Sequence, residues 1–265
     1  MKISSLFIYV IKACGATEVD VLRLCPWGPR HDREYMVIDR NGNFLTQRDY
    51  PRLALIQPRI ERDCLLIRLG GKVEFLLPFK NPNTQLREVT IWGDKVWAYD
   101  QGDVASRAFG EFLGVYCRLV KYQPKEHQRL RFSDTLGEQL LVSFADGYHL
   151  LVTTKEALAD FNSRALNPVP MNRFRPNMVL EGAEPYEEDK WHVLQTPAGI
   201  FRGGANCIRC ATTLVNQLTG EKDPHDEPLR TLALYRKTLK GVVFGRNFMH
   251  PAEGVLRKGD VVTAV

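Results

Sequence analysis

The sequence predicts a mainly β (α+β) protein in which short strands form barrels and a few short helices pack against them. Two observations support this prediction. Apolar, β-branched runs of about four to eight residues follow one another along the first hundred residues, and Gly, Asn and Asp separate them at regular intervals. Helical periodicity is confined to two or three short stretches. With 265 residues, 44% of them hydrophobic, the chain can bury the core of one large domain or two small ones.

The predicted strands of the first hundred residues come in chain order with clear turn signals between them. They are Ile3–Val10, Glu18–Leu24, the two arms of YMVIDRNGNFLTQ, Ala54–Ile60, Cys64–Leu69 and the two arms of REVTIWGDKVWAYD. Asn41-Gly42 predicts a hairpin turn, because the central positions of such a turn need positive φ angles. Gly93-Asp94 predicts the turn of the last hairpin.

The strand pattern changes to a helical one at Gly102. The stretch GDVASRAFGEFLG has its apolar residues at helical spacing, with Asp103 as the expected N-cap. VYCRLV follows as a strand. The polar segment 123–134 contains a proline, and we expect it to be a connector.

The rest of the chain alternates between strands and short helices. QLLVSFADGYHLLVTT predicts two strands with a turn near Asp146-Gly147, and Thr153 to Glu156 matches a capping box that opens a helix ending near Arg164. DEPLRTLALYRK predicts a helix with Pro228 near its first turn. The remaining predicted strands are Asn177–Glu181, Trp191–Gln195, Gly199–Arg202, Cys207–Leu214, GVVFGRNFMH and GDVVTAV.

Charge and cysteine usage exclude several classes of function. The net charge is +5 and the basic residues are scattered, so we expect no nucleic-acid partner. The apolar run Leu6–Ile11 is too short for a signal core or a membrane span, and Lys12 interrupts it. We therefore expect a cytoplasmic protein without membrane association, whose six cysteines are free thiols, most of them buried.

Walker, HExxH, GxSxG and dinucleotide-binding motifs do not occur in the sequence.

The stretch CIRCATTLV, residues 207–215, carries two cysteines three positions apart. A structural zinc site needs four ligands, yet there is no second CxxC and His225 stands alone. A thioredoxin-type redox pair needs a helix after the first cysteine, whereas Ala-Thr-Thr-Leu-Val favours a strand. Two incidental thiols on a strand are the third alternative, and the spacing alone does not decide among the three.

Several basic residues lie at the ends of predicted strands. If the segment is extended, Arg173 and Arg175 point to the same side, an arrangement that is costly unless an anion or a carboxylate meets them. Arg33 precedes another strand, together with Arg30 and Asp32, and Lys12 interrupts the first one. The alternative is that all of these are solvated strand ends and ordinary ion pairs.

Taken together, these stretches resemble the MOSC family, and in particular its branch of mitochondrial amidoxime-reducing components and their bacterial relatives. The matching pieces span nearly the whole chain: IYVIKACG, GPRHDREYMVIDRNGNFLTQRDYPRLALI, FADGYHLLVTTKEALADFN, NRFRPNMVLEG, CIRCATTLVNQLTG and EPLRTLALYR. The resemblance implies an N-terminal MOSC-type β-barrel domain, residues 1–122, packed on a MOSC β-barrel core, residues 123–265.

The resemblance also implies a molybdenum cofactor, molybdopterin, bound between the two parts. The metal-binding and catalytic cysteine of the family corresponds to Cys210, with Cys207 as a buried neighbour. Because the cofactor brings two dithiolene sulfurs of its own, one protein thiolate is enough to hold molybdenum. Arg209 is adjacent to Cys210, but on a strand it would point the other way. The implied cofactor-binding residues are Lys12, Arg33, Gly147, Tyr148, Arg175, Asn177 and Asn247. The sequence departs from the family at Ala13 and Ile208, where relatives usually have serine.

The implied activity is the reduction of N-hydroxylated small molecules such as amidoximes, hydroxylamines and N-hydroxylated bases, which makes the chain a molybdenum-dependent oxidoreductase. Many bacterial relatives carry a C-terminal ferredoxin-like domain, whereas this sequence stops at Val265. We therefore expect electrons to come from a separate protein, a ferredoxin- or flavin-type reductase. The alternative function is that of a carrier of the molybdenum cofactor, or of persulfide sulfur on Cys210, without reductase activity.

Overall fold

The computed structural model describes residues 1–80, 85–124 and 127–265, and it confirms a mainly β fold. The helices of these residues are α1 (Asp103–Leu113), α2 (Lys155–Arg164) and α3 (Leu229–Tyr235). The strands are β1 (Lys2–Ile8), β2 (Thr17–Val19), β3 (Val21–Cys25), β4 (Gly28–Pro29), β5 (Tyr35–Ile38), β6 (Ile56–Ile60), β7 (Cys64–Leu69), β8 (Val73–Pro78), β9 (Leu86–Ile91), β10 (Asp94–Asp100), β11 (Arg118–Lys121), β12 (Leu130–Ser133), β13 (Glu138–Leu141), β14 (Leu150–Thr154), β15 (Met178–Glu181), β16 (Val193–Thr196), β17 (Gly199–Ile208), β18 (Lys237–Thr238), β19 (Gly241–Met249), β20 (Gly254–Arg257) and β21 (Thr263–Ala264).

The largest sheet joins the beginning of the chain to its second half. Its strand order is β2-β1-β15-β14-β19-β17-β16-β21, with β18 paired to β19. β1 runs antiparallel to β15, with Leu6 opposite Met178, and β14 is parallel to β15. A second long-range pairing places Val255 of β20 opposite Arg23 of β3. The N-terminal strands are therefore built into the sheets of the C-terminal half.

Smaller sheets surround this one, and a shared core fills the space between them. Their strand orders are β5-β11-β10-β9, β6-β7-β8, β20-β3-β4 and β12-β13. The main core cluster contains side chains from both halves of the chain, for example Leu6, Phe109 of α1 and Val152 of β14. A separate cluster lies beneath α2 and α3, where the rings of Phe174 and Phe244 stack with centroids 3.8 Å apart.

Most predicted strands of the first hundred residues are confirmed, with two local corrections. The predicted strand Ala54–Ile60 begins only at Ile56, because Pro51 opens a 3₁₀ turn over Pro51–Leu55. The second arm of the Asn41-Gly42 hairpin does not form a strand. It makes only isolated bridges, such as Ile38 to Phe44, and then continues as a loop.

The ends of the helices and turns are shifted by one residue from the predictions. Gly102, with a φ of 89°, is the N-cap of α1, and Asp103 instead pairs with Arg118. Thr154 rather than Thr153 caps α2 by accepting a hydrogen bond from the backbone N–H of Ala157. The last predicted hairpin turns at Trp92-Gly93, and Asp94 is already the first residue of β10.

Three further segments of the second half differ from the prediction. The expected connector 123–134 contains β12; its residues 125 and 126 lie outside the described residues. β17 runs without interruption from Gly199 to Ile208, so Cys207 ends a strand rather than beginning one. Residues Ala211–Leu214 form a 3₁₀ turn, because the backbone N–H of Thr213 donates to the Cys210 carbonyl. β20 has no counterpart among the predicted strands. None of the helices in the described part of the chain is both long and apolar enough to cross a membrane.

Candidate functional site

A cavity of about 320 Å³ lies where the N-terminal strands meet the large sheet. Its size falls within the range of small-molecule binding sites. Its walls come from the segment after β1, the loop after Gly42, the turn at Trp92, the loop before β14, the segment before β15 and the end of β17. All the residues that the sequence predicted for the site line it: Lys12, Arg33, Gly147, Tyr148, Arg175, Asn177, Cys210 and Asn247.

Cys210 presents an exposed thiol to this cavity. It lies two residues after the end of β17 and immediately before the 3₁₀ turn, and its Sγ lies 3.5 Å from the hydroxyl of Thr212. Among the described residues, no group of three or more His, Cys, Asp and Glu side chains is close enough to hold a metal ion. Within the described residues, Cys210 therefore has no cage of further protein metal ligands around it.

Cys207 lies in the same cavity wall and is half-buried, not fully buried as expected. The Arg209 guanidinium donates to its Sγ at 2.9 Å and to the Phe174 carbonyl at 2.6 Å. The sequence predicted that Arg209 points away from Cys210, and the contact with Cys207 fits this prediction, because residues 207 and 209 share one side of an extended chain. The buried Nε of Arg209 has no hydrogen-bond partner within the described residues.

Two of the predicted cations are stacked on one buried ring. The guanidinium groups of Arg33 and Arg175 lie 4.4 and 4.2 Å from the ring centroid of Tyr9. Both arginines have positive φ angles, 50° and 56°, which non-glycine residues adopt rarely. Tyr9 donates its hydroxyl hydrogen to the Pro176 carbonyl at 3.0 Å, and burial raises its pKa to about 12. A neutral tyrosine therefore fixes both cations by cation–π contact.

Asn177 and Asp32 hold Arg33 in place. Arg33 forms an ion pair with Asp32, and its Nη1 donates to the Asn177 Oδ1 at 3.0 Å. Asn177 in turn donates to Asp32 at 3.1 Å and to the Phe7 carbonyl, and its Oδ1 also accepts from the backbone of Leu151. Because the Asn177 amide is fully used in this way, it positions Arg33 rather than offering free donors to a ligand.

Arg175 differs from Arg33 in having no carboxylate partner among the described residues. Its hydrogen-bond acceptor is the Gln217 Oε1 at 3.3 Å. Burial lowers the pKa of Arg175, although arginine stays charged in proteins. The cavity as a whole carries excess positive charge, because its lining includes one carboxylate, that of Asp146, and five cationic side chains: Lys12, Arg33, Arg48, Arg175 and Arg209. Such a lining favours an anionic ligand.

Lys12 and Asp146 connect the two halves of the chain inside the cavity. The buried Lys12 Nζ donates to the Phe144 carbonyl at 2.8 Å and to Asp146 at 2.5 Å. Burial lowers the pKa of Lys12, and the Asp146 carboxylate opposes that shift. The indole N–H of Trp92 donates to the same Asp146 oxygen at 2.8 Å.

Tyr148 and Asn247 shape the wall beside β17. The Tyr148 hydroxyl lies 2.8 Å from the Ser133 hydroxyl, and its ring packs on the backbone of Gly204, where a Cβ atom would come within 2.2 Å of the ring. Asn247 donates to the Ala205 carbonyl at 3.0 Å. Gly147 has no heavy atom within 4 Å of where a Cβ would stand, so its backbone is open to the cavity.

The interpretation of Arg173 as a second anion-facing arginine is wrong. Residues Met171–Arg173 form a 3₁₀ turn that rotates Arg173 away from Arg175. Its buried guanidinium donates to the carbonyls of Thr213, Leu214 and Glu227, so it braces the turn that follows Cys210.

The sequence reasoning did not identify part of the cavity wall. Phe44, Thr46, Gln47 and Arg48 line the cavity from a loop that was expected to be a strand arm, and Trp92 lines it from a turn. One sequence feature could have indicated this part of the wall. Trp92 precedes Gly93 at a hairpin turn, a position that normally takes Asn, Asp or Gly.

Comparison with known proteins identifies the family. Residues 1–116 match the MOSC N-terminal beta barrel domain, and residues 139–263 match the MOSC domain. The chain is 33% identical to mitochondrial amidoxime reducing component 2 of Bos taurus, over 98% of this chain and 82% of that protein. The chain belongs to the MOSC family.

Other relatives of this MOSC protein come from two groups. Mitochondrial amidoxime-reducing component 1 of Homo sapiens is 30% identical over 98% of the chain and 82% of its own length. Molybdenum cofactor sulfurase of Homo sapiens is also 30% identical, over 94% of the chain but only 30% of the sulfurase. The names of both groups point to an association with reduction or with the molybdenum cofactor.

Proposed function

We propose that this MOSC protein is a molybdenum-cofactor-dependent reductase of N-hydroxylated compounds, with the Cys210 thiolate as the protein ligand of molybdenum. The observation that carries the proposal is the position of the exposed Cys210 thiol in a cavity lined by five cationic side chains. The two amidoxime-reducing relatives, at 33% and 30% identity, support the reductase class.

The residues present fit the cofactor. Molybdopterin brings two sulfur ligands and a phosphate, so it needs one further soft ligand and a cationic pocket. Cys210 supplies the thiolate. Arg175, which has no carboxylate partner among the described residues, and Arg209, whose buried Nε is unpaired, are cations whose hydrogen-bonding capacity the described part of the chain leaves unfilled.

Each residue of the cavity then has a distinct role. Arg33, Arg175 and Lys12 bind the anionic part of the cofactor, and Asn177 keeps Arg33 oriented. The backbone at Gly147, together with Tyr148 and Asn247, bounds the opposite wall. When bound, the cofactor supplies two-electron redox chemistry. In the overall reaction, cleavage of the N–O bond consumes two electrons and two protons and gives water and the corresponding amine, amidine or base.

A separate electron-donor protein, of the ferredoxin or flavin type, supplies the electrons in this proposal. The substrate is a small molecule that enters where Cys210 is exposed.

The proposal is tested by replacing each of the two cysteines in turn. We expect Cys210→Ala to lose molybdenum and turnover together, because the other thiol in the cavity wall, that of Cys207, already accepts a hydrogen bond from Arg209 and is less exposed. The matched control is Cys207→Ala, which we expect to keep at least about half of the metal, since the metal-ligand role is assigned to Cys210 alone. Molybdenum per chain is measured on protein from molybdate-replete cells, and turnover is measured as reduction of a hydroxylamine with an artificial electron donor.

The outcomes distinguish the alternatives. Stoichiometric molybdenum retained in Cys210→Ala contradicts the ligand assignment. Molybdenum without turnover in the unaltered protein favours a cofactor carrier, and a cyanide-labile sulfur on Cys210 favours a persulfide carrier of the kind suggested by the sulfurase relatives.

A further inference from the structure

The cavity has a buried floor and an exposed mouth. At the floor, Asn177 and Lys12 have only 1% and 7% of their surface exposed. At the mouth, Ile208 and Trp92 are 45% and 44% exposed, and the Cys210 thiol lies in the same exposed group. A substrate that enters this cavity from solvent meets these exposed lining residues, among which Trp92 has the largest apolar side chain.

Trp92 occupies a backbone position that is unfavourable for it. Its φ is 51°, and that of Gly93 is 87°, so both central positions of the β9–β10 turn have positive φ angles. Turns of this kind favour Asn, Asp or Gly at the first central position. A bulky aromatic residue there is strained, and such strain is concentrated at functional sites. The β9–β10 turn alone gives no reason for a tryptophan.

The contacts of the indole supply a reason. Its N–H donates to Asp146 at 2.8 Å, which ties the turn to the loop before β14. The Phe44 ring meets it edge-on at 5.0 Å, and the Arg48 guanidinium lies 5.1 Å from its ring centroid. The ring is thus held in one place by contacts from two separate segments, the loop after Gly42 and the loop before β14, although nearly half of the residue remains open to solvent.

We propose that Trp92, supported by Phe44 and Arg48, is a specificity-determining wall that stacks planar, conjugated N-hydroxylated substrates, such as aryl amidoximes and N-hydroxylated nucleobases. Small aliphatic hydroxylamines, which have no π-face, gain nothing from this wall. The inference rests on the proposed function, because it takes Cys210 as the place of reaction. Stacking on a fixed aromatic side chain is favourable for any planar conjugated ring.

The first experiment compares two substrates in three variants. We expect Trp92→Asn to lower the ratio of kcat/KM for benzamidoxime over kcat/KM for N-methylhydroxylamine by about tenfold, the effect typical of losing one stacking partner. Asn also suits the positive φ angle, so the fold is retained. Trp92→Phe keeps an aromatic ring, and we expect the ratio to change by less than about threefold. Trp97→Thr removes another exposed tryptophan on β10, outside the cavity, and serves as the matched control.

The second measurement does not depend on turnover. Calorimetric titration with benzamidoxime, without an electron donor, is expected to give a Kd about tenfold higher in Trp92→Asn than in Trp97→Thr. An unchanged Kd and an unchanged substrate ratio in Trp92→Asn overturn the inference. If the unaltered, molybdenum-loaded protein reduces neither substrate, the proposed function fails, and the titration alone then decides whether Trp92 binds planar rings.

Discussion

Arg175 combines a positive φ angle, partial burial and the lack of a carboxylate partner among the described residues. Each of these is unfavourable in the protein alone, and together they indicate a side chain that is kept for a ligand. Arg173, two positions earlier, is equally basic but serves the fold, because its three carbonyl acceptors come from segments that follow Cys210 in the chain.

The two arginines give a matched pair of substitutions. We expect Arg175→Met to reduce molybdenum content by more than about tenfold, since it removes a charge-assisted contact to the cofactor. Its free energy of unfolding should change little, because the half-buried guanidinium that is lost has a neutral hydrogen-bond partner, Gln217, and the methionine side chain can replace its contact with the Tyr9 ring. Arg173→Met should instead lower the free energy of unfolding by about 3 kcal/mol, because it leaves buried carbonyls without donors.

The measurements are molybdenum analysis and urea unfolding of both variants. A large loss of stability in Arg175→Met, with metal retained, would assign that side chain to the fold. The different roles of Arg173 and Arg175 could not be predicted from the sequence. Side chains two positions apart share one side only where the backbone is extended. The 3₁₀ turn at 171–173 that separates them has no strong local signal.

At the scale of elements, the start of α2 shows why the sequence placed the helix N-cap one residue too early. Thr153 and Glu156 have capping-box spacing, but the Glu156 carboxylate accepts from the backbone N–H of Gly182 at 2.7 Å instead of reaching back to the cap. Thr154 takes over the cap, and its hydroxyl also donates to the buried Glu188 at 3.2 Å. A tertiary contact thus decides between two adjacent threonines.

This assignment predicts different costs for two isosteric changes. Thr154→Val should lower the free energy of unfolding by about 1–2 kcal/mol, because the cap and the bond to Glu188 are lost. Thr153→Val should cost less than about 0.5 kcal/mol, since its hydroxyl makes only a weak contact to the Met171 sulfur. Equal costs in chemical denaturation would contradict the placement of the cap.

The 3₁₀ turn after Cys210 is a second case at this scale. Ala-Thr-Thr-Leu-Val has the β-branched composition of a strand, but both the N–H and the hydroxyl of Thr213 bond to the Cys210 carbonyl. Side chain-to-backbone bonding of this kind competes with strand formation. The position of the cysteine was therefore predictable from the family, but its local conformation was not.

At the scale of the whole molecule, stability should depend on pH through a buried histidine pair. The rings of His149 and His250 lie 4.3 Å apart, and burial lowers the pKa of both, that of His250 to about 3. The unfolded chain takes up protons at these sites below about pH 6.5, whereas the folded protein takes up the His250 proton only near pH 3. The contribution of these histidines to the free energy of unfolding is therefore complete above pH 6.5 and decreases as the pH falls toward 3.

The expected loss from His250 alone is about 2 kcal/mol between pH 7 and pH 5. Replacing the ring by His250→Phe should reduce this pH dependence, while His225→Gln, at an exposed position, should leave it as it is. Thermal unfolding at a series of pH values checks both variants. An identical pH profile in the unaltered protein and in His250→Phe would show that the pair does not control acid stability.

The global pairing of strands was the part of the fold that could not be predicted from local patterns. Hairpins such as β9–β10 carry their own turn signals, so adjacent strands were recognised. The pairings of β1 with β15 and of β3 with β20 join strands that lie far apart in the sequence. No local residue pattern predicts either pairing. Only the family resemblance indicated that both halves meet around one cavity.

The pairing of Leu6 with Met178 has a consequence for synthesis on the ribosome. β1 is translated about 170 residues before β15, its partner in the sheet, and this separation corresponds to roughly ten to thirty seconds of synthesis. During that interval its apolar face and open backbone edge are exposed, so nascent chains should need chaperone protection until the second half has been made.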